Sequence, residues 1–398
     1  MLFILTLYLT TIFECYGQKS GCTDPLAKNY DGNAIINDGS CYYAETGISP
    51  TLSFELDSFI DESSGLIIMN NTLYTHNDHT TTTLYAIDSI NGKVTDSIAY
   101  DFIVAEDWEE VSQDNDFIYI GDFGNNNTGV RQNLRIFKIN KTSQLVDTIS
   151  FSYPDQIDFS NPGGHNTDYD CESMVITNDS IFLFTKQWIN NGTTVYSVPN
   201  TKGNYIAERI ESYDIDGLIT GACYLPNKNV VVLAGYTFLV KPFLYLLYDY
   251  HNNRFFSGNK RRIEINYPFL QIEGIATSDG LHYFITNELL DYVGPIPAQL
   301  HHINLEPFLK PYLYNLPYQS TIEKIFPNPF DDHINIKSSG IFADCNYTIY
   351  DMSGRKINND YIVPGDCTIN TSNLLAGYYI IKISGSDSKT MKLLKLKR

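Results

Sequence analysis

The chain has 398 residues, a net charge of −19 and a pI near 4.7. That length allows two or three domains. The acidity argues against nucleic-acid and anionic-membrane binding, which need clustered Lys and Arg to meet phosphates. With 30 Tyr and 22 Phe beside frequent Val, Ile and Thr, strands are favoured over helices, and the expected fold class is all-β.

In chain order, Met1 to Thr11 is almost wholly apolar and too short to span a bilayer. It runs into Cys15-Tyr16-Gly17, whose small last residue suits a signal peptidase, so residues 1–17 read as a signal peptide. A lipoprotein signal needs small residues before Cys15, where Phe13 and Glu14 stand. No later stretch is long and apolar enough to cross a membrane. Loss of Cys15 leaves six cysteines for an oxidising compartment. The expected pairs are Cys22 with Cys41, Cys345 with Cys367, and Cys171 with Cys223, the last two being alternatively buried free thiols.

Residues 18–46 hold Gly21-Cys22-Thr23-Asp24-Pro25-Leu26-Ala27-Lys28-Asn29-Tyr30 and Asp38-Gly39-Ser40-Cys41. This resembles a short Gly-Cys-Thr-Asp-Pro module repeated on exported bacterial surface proteins. Too short to bury a core, it needs the Cys22–Cys41 disulfide to hold it. Asp24, Asn29, Asp31, Asn33 and Asp38 are dense enough for a calcium loop, yet their spacing is not that of an EF-hand, and Asx turns are the simpler reading.

Between residues 50 and 312 one phrase recurs: an acidic mark with small and aliphatic residues, a strand, a polar cluster, a second strand. The marks are Glu62, Glu109, Glu172, Thr220 and Glu273, spaced 47, 63, 48 and 53 residues apart. That period suits a four-stranded propeller blade. A mark at the start of each innermost strand would face the central channel, so the glutamates would form a ring. The 63-residue gap and the strand Leu52 to Leu56 leave room for a sixth blade, so a five- or six-bladed β-propeller is expected, with six slightly favoured.

Glu106-Asp107-Trp108-Glu109-Glu110-Val111 with Gly121-Asp122-Phe123-Gly124-Asn125-Asn126 and Arg131, then Asp170-Cys171-Glu172-Ser173-Met174 with Thr185-Lys186, resemble motifs of an uncharacterised family of exported bacterial propellers. The resemblance implies the fold and no settled activity.

Carboxylates converging on one channel repel one another unless protonated, paired or bridged by a cation. The candidate channel and ligand-binding residues are Glu62, Glu109, Asp122, Asn125, Glu172, Lys186, Glu273 and Glu288, with Glu109, Glu172 and Glu273 as metal ligands and calcium as the metal. The competing reading has each Glu accepting backbone hydrogen bonds or pairing with Arg131, Arg135 or Lys186. No catalytic constellation is visible. His301 and His302 point to opposite faces of a strand, His79 reads as a solvated loop residue, Trp108 as inter-blade packing, and Trp188 as the better ligand-face candidate.

After a linker at 313–322, residues 323–398 carry Ile325-Phe326-Pro327-Asn328-Pro329-Phe330, the turn Asp351-Met352-Ser353-Gly354-Arg355, Leu375-Ala376-Gly377-Tyr378-Tyr379 and a basic tail. This order resembles the type A C-terminal sorting domain of the type IX secretion system, which implies a small C-terminal β-sandwich following the propeller. The resemblance implies the secretion machinery as partner and a secreted or outer-surface location, with release or attachment to lipopolysaccharide left open. Two functions fit: a propeller that binds a surface ligand, glycan or protein and holds a cation in its channel, or a calcium-dependent hydrolase of an ester, lactone or phosphoester. The absence of a reactive constellation favours the first.

Overall fold

Three strands in the middle of the chain, Asp170–Ile176, Val230–Tyr236 and Pro242–Tyr248, are buried at every position. Val230–Tyr236 and Pro242–Tyr248 are apolar on both faces, as a strand sandwiched between neighbouring sheets must be. The computed structural model describes residues 19–78, 82–267, 269–291, 294–315, 321–339, 346–361, 367–384 and 389–396. The expected signal peptide, His79 and Cys345 lie outside them, as does the side chain of Cys367, and with it the Cys345–Cys367 pairing.

Five antiparallel sheets follow one another. Blade 1 is Ser63–Met69, Thr72–Asn77, Thr83–Ile87 and Val94–Ala99; blade 2 is Trp108–Gln113, Phe117–Asp122, Leu134–Asn140 and Val146–Ser152. Blade 3 is Asp170–Ile176, Ser180–Lys186, Thr193–Pro199 and Glu208–Tyr213; blade 4 is Leu218–Leu225, Val230–Tyr236, Pro242–Tyr248 and Asn259–Ile265. Blade 5 is Ile272–Thr277, His282–Asn287 and Gln299–Asn304, and its outer strand is Leu52–Glu55 from the N-terminal side. The first strands pack side by side in a closed cycle, blade 5 meeting blade 1. This is a five-bladed propeller sealed by its N-terminal strand.

The preference for six blades is therefore corrected. Leu52–Glu55 completes blade 5 instead of starting a sixth, and the long gap between Glu109 and Glu172 is filled by the connection 153–169. The core is five wedges, one per blade junction. Trp108, Tyr100 and Phe137 fill the wedge between blades 1 and 2, and Phe243, Phe255 and Val231 that between blades 3 and 4. Trp108 is wholly buried, as its packing role requires.

Cys22 and Cys41 form the expected disulfide. Cys171 and Cys223 are free thiols, which corrects their place among the bonded cysteines: they sit on the inner strands of different blades, and Cys171 donates instead to the carbonyls of Ser173 and Phe184. Asp24, Asp31 and Asp38 each accept the backbone N–H two residues on, and Asn29 accepts Tyr42 N, so the oxygens of the module make Asx turns. The module docks on blade 4. Gly47–Ile48 extends that sheet in parallel, and buried Asp24 accepts the phenols of Tyr43 at 2.7 Å and Tyr248 at 2.5 Å.

The region read as the end of the propeller and the start of a linker contains the helix Glu306–Asn315, whose Leu309 and Leu313 pack against blades 4 and 5. The C-terminal part is a seven-stranded pair of sheets over a core that includes Phe330, Ile334, Ile349 and Ile381.

Replacing Asp24 with Ala strands two phenolic donors in a buried joint, and an unmet buried donor costs about 1–3 kcal/mol. We expect Asp24→Ala to lower the unfolding free energy by about 2–4 kcal/mol in urea melts, with Asp38→Ala, which is an exposed turn, within about 1 kcal/mol of wild type.

Candidate functional site

Each blade's inner strand carries a β-bulge near its start. Pairing skips between Ser63 and Leu66, Trp108 and Glu110, Cys171 and Ser173, Ile219 and Gly221, and Ile272 and Ile275. A bulge re-aims its extra residue. The bulged residues are Ser64, Glu109, Glu172, Thr220 and Glu273, so the inner ring has three acids and two hydroxyls. The hydroxyls hold the ring together: Ser64 Oγ donates to Glu109 O and Thr220 Oγ1 to Ile272 O, each at 2.5 Å across a blade junction.

Glu62 is corrected by this register. It lies two residues before the ring position, level with Asp107 and Asp170, and is exposed at the rim. These residues form a second tier. The ends of the second strands reach the same mouth and deliver Asp78, Lys186 and Glu288.

The next residue on each inner strand meets the neighbouring blade. A Cβ at Gly65, Gly221 or Gly274 would lie 2.3 Å from Val111 N, 2.0 Å from Glu273 O or 2.4 Å from Ser64 O, so these positions admit only glycine. Blade 3 has Ser173 there and blade 2 Glu110. Its buried carboxylate accepts Val111 N at 2.9 Å and Ala222 N of blade 4 at 3.2 Å, pinning blades across the axis.

At the mouth, one carboxylate oxygen from each of Asp78, Asp107 and Glu109 lies within 4.8 Å of the others, and the same holds for Glu109, Asp170 and Glu172. Glu109 is common to both groups and 2 % exposed, and its Oε1 has no hydrogen-bond partner; neither does Asp78 Oδ1. The fit is tight, since a Cβ on Gly124 would stand 2.0 Å from Glu109 Oε1 and 2.5 Å from Asp107 Oδ2. Asp170 is satisfied, accepting Asn125 N and Trp188 Nε1. Lys186 bonds both oxygens of Glu172 at 2.7 and 2.6 Å.

Burial, then the neighbouring acids, pushes the Asp78 and Glu109 carboxyls well above the carboxylate range. Asp107 is raised by burial to about 6 against the pull of Arg131. Glu288 is raised by burial to about 7, with Lys186 opposing. Lys186 stays an ammonium: burial disfavours its charge, but Glu172 and other acids outweigh that and raise it. Glu172 is itself pushed up by burial despite the lysine. The contact is an ion pair, because Glu172, Glu273 and Asp170 together hold the proton on Lys186.

Of the expected residues, Glu109, Glu172, Lys186, Glu273 and Glu288 converge here. Glu273 stands outside both groups of three. Asp122 and Asn125 serve as struts. Asp122 takes Arg131 and Arg135 at 2.7 Å each, and Asn125 links Arg131 N to blade 3. Asp78, Asp107, Asp170 and Glu110 were not singled out from sequence. The recurrence of Asp-x-Glu at 107–109 and 170–172 is the signal that marks two of them. Trp188 stacks on exposed His165 at 4.0 Å, with Lys186 Nζ 4.8 Å from its ring centroid, so it is a layer of the mouth wall. His301 and His302 diverge, to Asn287 and Ser53 and to Ser89 O.

Residues 324–397 match the family described as a secretion system C-terminal sorting domain, so the chain carries the tail that directs export by the type IX system. No curated protein matches. Among solved structures, the chain is similar to PorZ of Porphyromonas gingivalis, a surface component of the type IX system, at 14 % identity over 93 % of this chain and 48 % of that one, TM-score 0.31. It thus spans about half of PorZ. A glutaminyl cyclase of Myxococcus xanthus matches at 11 % identity, 64 % and 94 % coverage, TM-score 0.39. The WD40 domain of Neurospora crassa Pan2 matches at 9 %, 87 % and 86 %, TM-score 0.32. Likenesses this distant say nothing about activity.

Carboxyls whose folded pKa is raised bind protons that the unfolded chain releases near pH 4, so stability is greatest at low pH and falls as pH rises through the folded values. For Asp107 and Glu288 that window runs from about pH 4 to about pH 7. In chelator, the melting temperature should be several degrees higher at pH 5 than at pH 8, and Asp107→Asn with Glu288→Gln should flatten the difference.

Proposed function

We propose that this exported chain is a binding protein whose channel mouth holds one hard divalent cation, with Asp78, Asp107 and Glu109 as the first donors and Asp170 and Glu172 within reach. The observation that carries this reading is Glu109 Oε1, buried without a partner and shared by both acid groups. A buried acceptor left unmet is costly, and a cation is what an all-acceptor cluster lacks. Calcium takes six to eight oxygens at about 2.3–2.6 Å, so oxygens within 4.8 Å of each other suit a common ion. Carboxylates alone exclude the softer metals that prefer sulfur and imidazole.

A second reading, a calcium-dependent hydrolase of an ester, lactone or phosphoester, draws on a different observation. Asp107 at about 6 and Glu288 at about 7 have the near-neutral values that proton transfer at physiological pH requires. The binding reading is preferred because no nucleophile stands beside them among the described residues.

Titrating chelator-stripped protein with calcium should show one equivalent bound and a melting temperature raised by several degrees, since ligand at 100 times Kd adds about 2.7 kcal/mol. Glu109→Gln should abolish that shift and Gly124→Ala should weaken binding by displacing two ligands, whereas Glu62→Gln keeps it. Absence of both binding and stabilisation in the wild type would sink the cation reading. Turnover of model esters, lactones or phosphoesters that needs calcium and disappears in Asp107→Asn would replace binding by hydrolysis.

A further inference from the structure

The two ends of the propeller differ in composition. Connections between blades, and those from second to third strands, lie at the mouth end: residues 56–62, 78–82, 100–107, 123–133, 153–169, 187–192, 214–217, 237–241, 266–271 and 288–298. Among their described residues carboxylates outnumber Lys and Arg fourteen to two, Arg131 and Lys241 being the cations. The opposite-end connections, 70–71, 88–93, 114–116, 141–145, 177–179, 200–202, 226–229, 249–258 and 278–281, carry six against five. Two mouth-end acids meet cations from elsewhere, Asp57 with Lys93 and Asp155 with Arg209.

Exposed apolar side chains follow the same division. Nine large ones stand on the mouth-end connections and two, Ile90 and Leu145, on the others. Five of them stand on neighbouring connections: Ile189 on blade 3, Phe238 and Leu239, 55 % and 70 % exposed, on blade 4, and Phe269 and Leu289 on blade 5. Phe59 joins Leu289 through the backbone bond from Leu289 N to Asp61 O. Scattered apolar residues need no explanation, but a set gathered on one end of a soluble exported protein marks an interaction surface.

We infer that the mouth end of the propeller is a docking face for a polypeptide that presents a lysine or arginine flanked by apolar side chains, with the cationic head at the blade 5 edge near Glu288 and its neighbours over Phe238, Leu239 and Leu289. Charge complementarity chooses this occupant. An anionic membrane or nucleic acid is repelled by the excess of carboxylates, which is still ten to two when the paired Asp57 and Asp155 and the cation donors Asp78 and Asp107 are set aside, and a purely apolar partner would bury them unpaired. The face stands independently of the proposed cation, whose donors come from blades 1 to 3.

The test is fluorescence anisotropy on the full chain, with and without calcium, using labelled peptides with a Leu-Arg-Phe-Leu core, a version with Glu in place of Arg, and a version with Ser in place of the apolar residues. The first peptide should bind at least tenfold more tightly than either other. Phe238→Ser with Leu239→Ser, and separately Glu288→Gln, should weaken it at least fivefold, while Ile90→Ser with Leu145→Ser leaves it unchanged. All five positions are exposed or lie at the rim, and melting curves report whether each variant folds. No binding of the first peptide, equal binding of the Glu peptide, equal loss in the opposite-end variant, or binding to phosphatidylglycerol vesicles in its place overturns the proposal.

Discussion

The structure turns on the crowding of carboxylates around a single axis. Asp78, Asp107, Glu109, Asp170, Glu172, Glu273 and Glu288 share the mouth with one ion-paired lysine. Like charges at such distances cannot all ionise in a desolvated site. The fold manages the excess in three ways. Asp122 is drawn off by two arginines, Asp170 by a backbone N–H and an indole, and Glu172 by Lys186. What these leave over, Glu109 above all, is the part that a ligand can use.

The same inner strands must bring blades together closely enough to make the cluster. Bulges turn one residue per blade toward the axis, and glycines at 65, 221 and 274 let each blade's backbone touch the next. Glu110 breaks that glycine pattern and turns the breach into a tie, because the amide of Val111 on its own strand and that of Ala222 on blade 4 satisfy its carboxyl group. A cavity of about 760 Å³ lies toward the opposite end, lined by residues that include Ile67, Val111, Ile176 and Tyr224.

Much of this was legible in the chain. The repeat of Glu109, Glu172 and Glu273 at blade-length spacing gave the architecture and three ring members, and the tail motifs gave the export domain. The blade count was not legible, because a closing strand such as Leu52–Glu55 reads locally like the start of any blade, and only pairing with Gln299–Asn304 assigns it. Glu62 was misread for a related reason: a two-residue offset is invisible in spacing and visible only in the bulge register. The helix Glu306–Asn315 escaped because Pro311 and its aromatic residues argue against helix, while burial of Leu309 and Leu313 on blades 4 and 5 overrides that preference.

Export bears directly on the chemistry of the mouth. In a calcium-poor compartment the empty cluster holds protons on the carboxyls that burial and neighbouring acids push well above their usual range, Asp78 and Glu109, and the neutralised groups then repel each other little. Outside the cell, hard cations reach concentrations at which sites with Kd of about 10⁻⁴–10⁻³ M fill. A cation entering the Glu109 groups would expel those protons, so binding should strengthen as pH rises. The acids would then act as charged ligands where the sorting domain delivers them, and as neutral, non-repelling groups where metal is scarce.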